Sequence, residues 1–229
     1  MHACENGNTD IAKLLIKKGA NVDIQDKYGK TALMCALLKG HTAIVELLLN
    51  NKANVDIKNN YGTTVLMHAC ENGNTDIAKL LIKKCTDVDI QNKDGITALM
   101  CACDCKNGDT DIVKLLIEKG DDVDIQNQDD KTALMYACLN GYTAIVKLLI
   151  DNGANVDIKD KCGKTALIYA RIMGHTEIIE LLDNNLNKTY NKNKPSSKLF
   201  DQNQTHNTDD TQEQETVNSS DSSLYVSVH

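Results

Sequence analysis

The chain has 229 residues, of which 41% are hydrophobic and 25% charged, and these proportions are typical of a globular protein. Aromatic residues make up only 3%, with one Phe and no Trp, so the core must be built from Leu, Ile, Val, Ala and Cys. A net charge of −7 argues against a general nucleic-acid binder, and no apolar run approaches the roughly 18 residues that a membrane helix needs.

The N-terminal sequence lacks the basic region and long apolar stretch of a signal peptide. Nine cysteines are an odd number, and without an export signal they favour reduced thiols over a disulfide framework. We therefore predict a reducing compartment, the cytoplasm of the cell that encodes the chain or the cytoplasm of a host.

Internal repetition organises most of the chain. Residues 1–18 recur unchanged as residues 67–84, at a spacing of 66, which is twice 33. A Thr-Ala-Leu-Met motif and its close variants recur at steps of 33, 33, 35 and 33 residues, starting at Thr31, Thr64, Thr97, Thr132 and Thr165. The predicted units are a partial N-terminal repeat at 1–25, repeats at 26–58, 59–91, 92–126 and 127–159, a C-terminal capping repeat at 160–186, and a polar tail at 187–229.

The unit 26–58 shows the pattern within a repeat. It opens with a turn in which Gly29 stands where a positive φ is expected. Thr31 is a candidate N-cap for a short helix that Gly40 ends, and a second helix with a wide apolar stripe follows. Helices this short are not stable alone in water, so stacked copies must bury their apolar faces against one another.

This pattern resembles the ankyrin repeat, whose signature is D-x-x-G-x-T-P-L-H-x-A-x-x-x-G-H-x-x-I-V-x-L-L-x-x-G-A-D-V-N. The resemblance covers residues 1 to about 186 and makes each predicted unit an ankyrin repeat. It implies an all-α fold, a solenoid of helix-turn-helix units with projecting β-turns, followed by a disordered C-terminal tail. The near-identical repeats and the Asn, Lys, Ile and Asp-rich vocabulary also resemble ankyrin arrays of giant viruses and intracellular bacteria, an analogy that raises host-directed interaction as an alternative.

Several positions depart from the repeated pattern. Asp130 replaces the turn glycine, which Asp tolerates better than a β-branched residue would. The unit 92–126 has two extra residues that lengthen its first helix or the loop after it, and we expect Cys105 in this insertion to be exposed and oxidisable. Arg171 adapts the C-terminal unit as a cap, and residues 183–185 are expected to end its last helix early. The N-terminal half repeat is unadapted and should fray.

The tail, residues 187–229, is rich in Asn, Gln, Ser, Thr and Asp, so it cannot offset its ordering entropy by burial. It has a basic start, an acidic continuation and one apolar patch at residues 224–229. That patch is either a short linear motif that docks in extended form or an unbound terminus.

Motifs that suggest chemistry have simpler explanations in the repeat. The fragment Gly29-Lys30-Thr31 lacks the second glycine of a phosphate-binding loop. The cluster Cys101, Cys103 and Cys105 lacks the paired C-x-x-C spacing of structural zinc, and cysteine at the repeated position of Cys103 is a small core residue. We therefore predict no catalytic, cofactor-binding or metal-binding residues; an enzyme or metal protein built on the cysteine cluster is the weakest alternative.

The positions that folding leaves free to specify a ligand are, by the ankyrin resemblance, the turn tips and the exposed side of the first helix of each unit. The tips carry six lysines and two aspartates, whereas residues 1–186 carry 21 basic and 26 acidic side chains. This predicts a basic binding edge, although the lysines could instead serve solubility alone. The candidate partner-binding residues are Lys27, Tyr28, Lys30, Leu38, Asn60, Tyr61, Thr63, Lys93, Asp94, Ile96, Gln128, Asp129, Lys131, Leu139, Lys161, Lys164, Ile172 and Met173.

The leading hypothesis from the sequence is a non-enzymatic, monomeric interaction module that binds a protein with an acidic or mixed surface on its concave face. Neither nucleic acid nor a membrane is an expected partner. The alternative is an adaptor that links a bound target to ubiquitin-ligase or trafficking machinery through residues 187–229.

Overall fold

The computed structural model describes residues 1–120 and 122–192, with the backbone alone for 188–192. The described residues form twelve helices and no strand. They are α1 (His2–Glu5), α2 (Thr9–Lys17), α3 (Ala32–Leu38), α4 (Thr42–Asn50), α5 (Val65–Glu71), α6 (Thr75–Lys84), α7 (Ala98–Asp104), α8 (Thr110–Lys119), α9 (Ala133–Asn140), α10 (Thr143–Asp151), α11 (Ala166–Met173) and α12 (Thr176–Lys192). None of these helices is both long and apolar enough to cross a membrane.

The helices lie in two layers. The odd-numbered helices pack in sequence from α1 to α11 and form the inner layer, while the even-numbered helices form the outer layer. Each inner helix also packs against the outer helix that follows it. One compact unit covers Met1–Asn193. The predicted all-α solenoid of helix pairs is confirmed, whereas the prediction of a disordered tail falls, from residue 193 onward, outside the described residues.

A continuous apolar core lies between the two layers. Leu33 and Met34 of α3 and their counterparts Leu99 and Met100 of α7 are at most 2% exposed. Small residues let neighbouring inner helices approach, and Ala36, Ala69, Ala102, Ala137 and Ala170 are fully buried. The core needs few aromatic residues because each unit closes over the next with aliphatic side chains.

The local signals read from the sequence account for the helix starts. The Thr31 hydroxyl accepts a hydrogen bond from the Met34 backbone N–H at 3.3 Å, and Thr64 and Thr97 cap α5 and α7 in the same way. Thr132 and Thr165 hold the same extended backbone, but their side chains make no cap bond. Asp130 adopts a φ of 59°, as expected for the residue that replaces the turn glycine.

Two expectations about the loops and ends are wrong. Cys105 is only 4% exposed, because the insertion lengthens the loop after α7 and the Cys105 thiol turns inward to donate to the Ala102 carbonyl. The last helix does not end at residues 183–185: α12 continues to Lys192, into the segment predicted as tail. Asp183 instead pairs with Arg171 at 3.2 Å across the last helix pair.

The two identical segments 1–18 and 67–84 lie in different environments. In α6, Ile77 and Leu81 are fully buried between neighbouring units. In α2, their counterparts Ile11 and Leu15 are 52% and 46% exposed. Identical residues therefore differ in burial only because no described unit packs on the outer side of α2, as the sequence led us to expect for an unadapted end.

Candidate partner-binding face

Each turn is held in shape by an Asn or Asp side chain at its first position. The Asn59 Oδ1 accepts from the backbone N–H groups of Tyr61 at 2.9 Å and Thr63 at 3.0 Å. Asp26 does the same for Tyr28 and Lys30 at 2.8 Å each. Equivalent pairs of bonds form at Asn92, Asn127 and Asp160. The side chains at the tips therefore project from a fixed backbone.

Successive tips are also joined to each other by backbone hydrogen bonds. The Asn60 N–H donates to the Tyr28 carbonyl at 3.0 Å, and the Lys93 N–H donates to the Tyr61 carbonyl at 2.9 Å. Gln128 bonds to Asp94 and Lys161 bonds to Asp129 in the same way. The five turns thus form one connected row, and we call their candidate residues the tip row.

The candidate residues predicted from the sequence are all at the surface or partly exposed. Tyr28 and Tyr61 are 51% and 67% exposed, and Lys27 lies over the Tyr28 ring at 4.9 Å from its centre. Ile172 and Met173 are 59% and 50% exposed at the end of α11. Leu139 and Ile96 are half-buried, so they contribute the apolar part of the face rather than its rim.

A groove of about 740 Å³ runs between the tip row and the inner helices, and we call it the central groove. The structure brings six of the predicted residues together there: Lys30, Leu38, Tyr61, Thr63, Asp94 and Ile96. Other predicted residues lie elsewhere on the surface. The groove is also lined by Glu71, which lies on the first helix of its unit, where binding residues are expected. Residues that were not predicted line it as well, among them His68, Cys101, Asp104, Lys106 and Tyr136.

Several of the missed residues occupy one repeated position, the fourth residue of each inner helix from α3 to α11. We call this set the inner row; its members are Cys35, His68, Cys101, Tyr136 and Tyr169. The signal was present in the spacing, which matches that of the threonine motif. It was missed because the chemistry changes from thiol to imidazole to phenol along the row.

The two tyrosines of the inner row fill the space under their own turns. The Asn127 side-chain amide donates to the Tyr136 hydroxyl at 3.0 Å, and the Tyr169 hydroxyl donates to an Asp160 carboxylate oxygen at 2.6 Å. Lys131 lies over both rings, with its ammonium 6.0 Å from the Tyr136 centre and 5.5 Å from the Tyr169 centre. The Lys131 side chain is therefore partly engaged within the face.

Carboxylates give the middle of the central groove a negative character. Burial, with the charges of Glu71 and Asp104, raises the pKa of the Cys101 thiol to about 12. Burial also raises the pKa of Tyr136, and Asp104 and Asp129 add to the effect. A thiol with so high a pKa stays protonated near neutral pH, whereas a catalytic cysteine nucleophile needs a lowered pKa.

His68 is the one described residue with a buried side-chain polar atom that lacks a hydrogen-bond partner, its Nε2. Its Nδ1 lies 3.5 Å from the Glu71 carboxylate. Burial lowers the pKa of His68, although Glu71 opposes the shift. At neutral pH the imidazole of His68 is consequently uncharged in the folded protein.

The lowered pKa of His68 predicts that stability depends on pH. Because the folded-state pKa lies below the ordinary 6.5, the unfolded chain binds the proton more readily, so stability falls as the pH drops below about 6.5. Urea unfolding near neutral and mildly acidic pH should show a larger loss in the wild type than in His68→Cys, which copies Cys35 and Cys101. The other histidines are common to both chains, so an equal loss in the two would contradict this origin.

The described residues contain no group of three or more His, Cys, Asp or Glu side chains placed to hold a metal ion. Cys103 and Cys138 are fully buried among aliphatic side chains. The cysteine cluster at α7 is therefore divided between the core and the floor of the central groove.

A family model of ankyrin repeats in three copies matches residues 1–59, 51–125 and 104–194.

Three solved structures are similar to the chain over 80% of its length. An ankyrin repeat domain from Acinetobacter baumannii AYE is 31% identical with a TM-score of 0.73 over 95% of that chain. The ankyrin repeat protein EF0377 is 34% identical with a TM-score of 0.71 over 94% of that chain. A chain from the complex of the predatory endopeptidase Bd0816 of Bdellovibrio bacteriovorus with the immunity protein Bd3460 is 31% identical, with a TM-score of 0.69 over 95% of that chain. No curated protein matches the chain.

Proposed function

Because the chain belongs to the ankyrin repeat family, whose members are protein–protein interaction modules, we propose that it binds a partner protein on the face formed by the tip row and the central groove. The fold is generally a non-enzymatic interaction scaffold, and we propose that role here. The observation that carries the proposal is the central groove itself, which gathers six candidate residues beneath turns whose backbones are joined to one another.

Rigid display supports binding at this face. Ordering loose side chains and loops weakens association, whereas the Asn and Asp side chains and the turn-to-turn bonds fix the tips before a partner arrives. Tyr28 and Tyr61 expose about half or more of their surface and are suited to anchor a partner. The lysines at the outer rim and the carboxylates in the groove favour a partner of mixed charge.

The proposal is tested by replacing Tyr28, Tyr61, Lys93 and Lys131 together with Ala. Loss of these side chains should reduce partner capture by at least about tenfold, because a few residues, tyrosine prominent among them, carry most of an interface's energy and the lysines add to the association rate. The measurement is quantitative affinity capture followed by mass spectrometry, with the helical circular-dichroism spectrum recorded to show that the fold is kept.

A matched control changes four exposed side chains of the outer layer, Glu46, Lys114, Lys147 and Glu180, to Ala. This variant has the same number of substitutions and should keep full capture. Equal capture by wild type and by the variant of the tip row would refute the proposed face.

The adaptor function is a second candidate, and the sequence of residues 187–229 favours it through the apolar patch at 224–229. In that case the tail binds a second protein while the repeats hold the first. Capture by a chain that ends at Lys192 separates the two functions, because only the adaptor loses one of two partners. Capture of the same proteins by both chains would remove support for the adaptor.

A further inference from the structure

The inner row offers a comparison within one molecule. At α9 and α11 a tyrosine occupies the space between inner helix and turn, and its hydroxyl is bonded to the Asn or Asp that opens the turn. At α7 the same position holds Cys101, a much shorter side chain. The central groove lies along α5 and α7 and ends at Tyr136, where the first tyrosine of the row fills the space.

The two residues that contact Tyr136 in its own unit, Asn127 and Lys131, have counterparts at the same repeat positions in the unit of Cys101. Asn92 opens its turn with the same two backbone bonds as Asn127, but its repeat has no tyrosine to accept from the side-chain amide. Ile96 is the repeat equivalent of Lys131, which lies over the ring of Tyr136. An aromatic ring bound beside Cys101 would therefore be covered by an aliphatic side chain. Both residues line the central groove.

The charged side chains around Cys101 indicate which residues could flank an aromatic side chain bound at this position. Glu71 and Asp104 act on the thiol, and Asp94 also lines the groove. Its two cations are Lys106, two residues after Asp104, and Lys30, which acts on His68 at the other end, so carboxylates outnumber cations along the groove. A segment that brings lysine or arginine next to the ring would therefore meet carboxylates, whereas an acidic segment would be repelled.

Resting on the proposed function, we propose that the central groove at Cys101 binds a tyrosine side chain of a partner segment, with lysine or arginine beside it. The ring lies against Ile96 in the place that Tyr136 takes in the next unit. The tyrosine hydroxyl accepts a hydrogen bond from the Asn92 amide. This gives the partner a recognisable feature, a tyrosine within a basic stretch.

The direct test uses three short peptides, acetyl-Lys-Tyr-Lys-amide, acetyl-Lys-Phe-Lys-amide and acetyl-Glu-Tyr-Glu-amide, added to the full chain with ¹³C-labelled methionine methyl groups. Met67 and Met100 line the groove, so their signals should shift in a saturable way with the first peptide. The affinity should fall several-fold when the hydroxyl is absent and more when the flanking charges are reversed. The signals of Met1 and Met173, which do not line the groove, should stay unchanged.

Two variants keep the test decisive. Cys101→Tyr copies Tyr136, fills the site from within and should abolish the shifts, while Cys101→Ser should keep them. Glu71→Lys together with Asp104→Lys reverses two exposed charges that line the groove, so the response to the Lys-Tyr-Lys peptide should be lost and the response to the Glu-Tyr-Glu peptide should become the stronger one. This double variant covers the case in which Cys101→Tyr does not fold.

Absence of shifts at Met67 and Met100, or equal responses to all three peptides, would overturn the tyrosine site. A chain that captures a partner protein without responding to the peptides would keep the interaction function and lose only this inference. A response to the Lys-Tyr-Lys peptide that survives both Cys101→Tyr and the double variant of Glu71 and Asp104 would place the binding elsewhere and equally overturn it.

Discussion

Replacing Leu81 with Ala is expected to lower the free energy of unfolding by about 2–5 kcal/mol, the usual cost of truncating a fully buried leucine. Leu81 is 0% exposed in α6, which packs against α5 and α8. The substitution removes apolar contacts and leaves a cavity where neighbouring units meet. Urea unfolding followed by circular dichroism measures the loss.

The chain supplies its own control for this experiment. Leu15 occupies the same place in the identical segment 1–18 but is 46% exposed in α2. Leu15→Ala should therefore cost less than about 1 kcal/mol, because little buried surface is lost. Similar losses of unfolding free energy in the two variants would contradict the expectation that burial between stacked units sets the cost of the truncation.

Replacing Gly95 with Ala is the second change with a large expected effect, about 2–4 kcal/mol of destabilisation. Gly95 has a φ of 77°, which costs an alanine roughly 1–2 kcal/mol. A Cβ there would also lie 2.8 Å from the Asn127 Cα and the Gln128 backbone nitrogen. Neither is the end of a flexible side chain, so two turns of the tip row must move apart.

Gly163→Ala measures the cost of the positive φ alone, without the contact between neighbouring turns. Gly163 has a φ of 73°, but a Cβ there would meet nothing within 4 Å, because no described turn follows. Its cost should be limited to roughly 1–2 kcal/mol of backbone strain. Thermal unfolding of both variants tests the difference, and a Gly163→Ala chain as unstable as Gly95→Ala would show that contact between turns is unimportant.

The fold could be predicted because its signals are local and repeated. A threonine such as Thr31 marks each inner helix, a positive-φ residue such as Gly29 marks most turns, and the step between copies fixes the stacking. The errors arose where no second copy could guide the interpretation. The insertion at Cys105 and the end of α12 occur once each, and burial of a loop thiol or extension of a polar helix depends on neighbouring units.

The tip residues of the candidate face could be predicted from the sequence, whereas the inner-row residues that line the groove could not. Tip residues such as Tyr61 follow from the position of the turns, and the structure finds them exposed. The inner row was missed because Cys101 and Tyr136 share a position but not a chemical character. A groove forms where the side chain at this inner-row position is short. The groove becomes evident only once the three-dimensional position of the neighbouring turn is known.

The exposed outer side of α2 sets the order in which the protein should lose its structure. Backbone amides of α2 should exchange with solvent through local opening, well before those of α6, whose sequence is the same. Because each unit contacts only its neighbours, opening that starts at α2 reaches α5 and α7 only after α3 and α4 have opened. The central groove should accordingly stay intact under conditions that already melt the first helices.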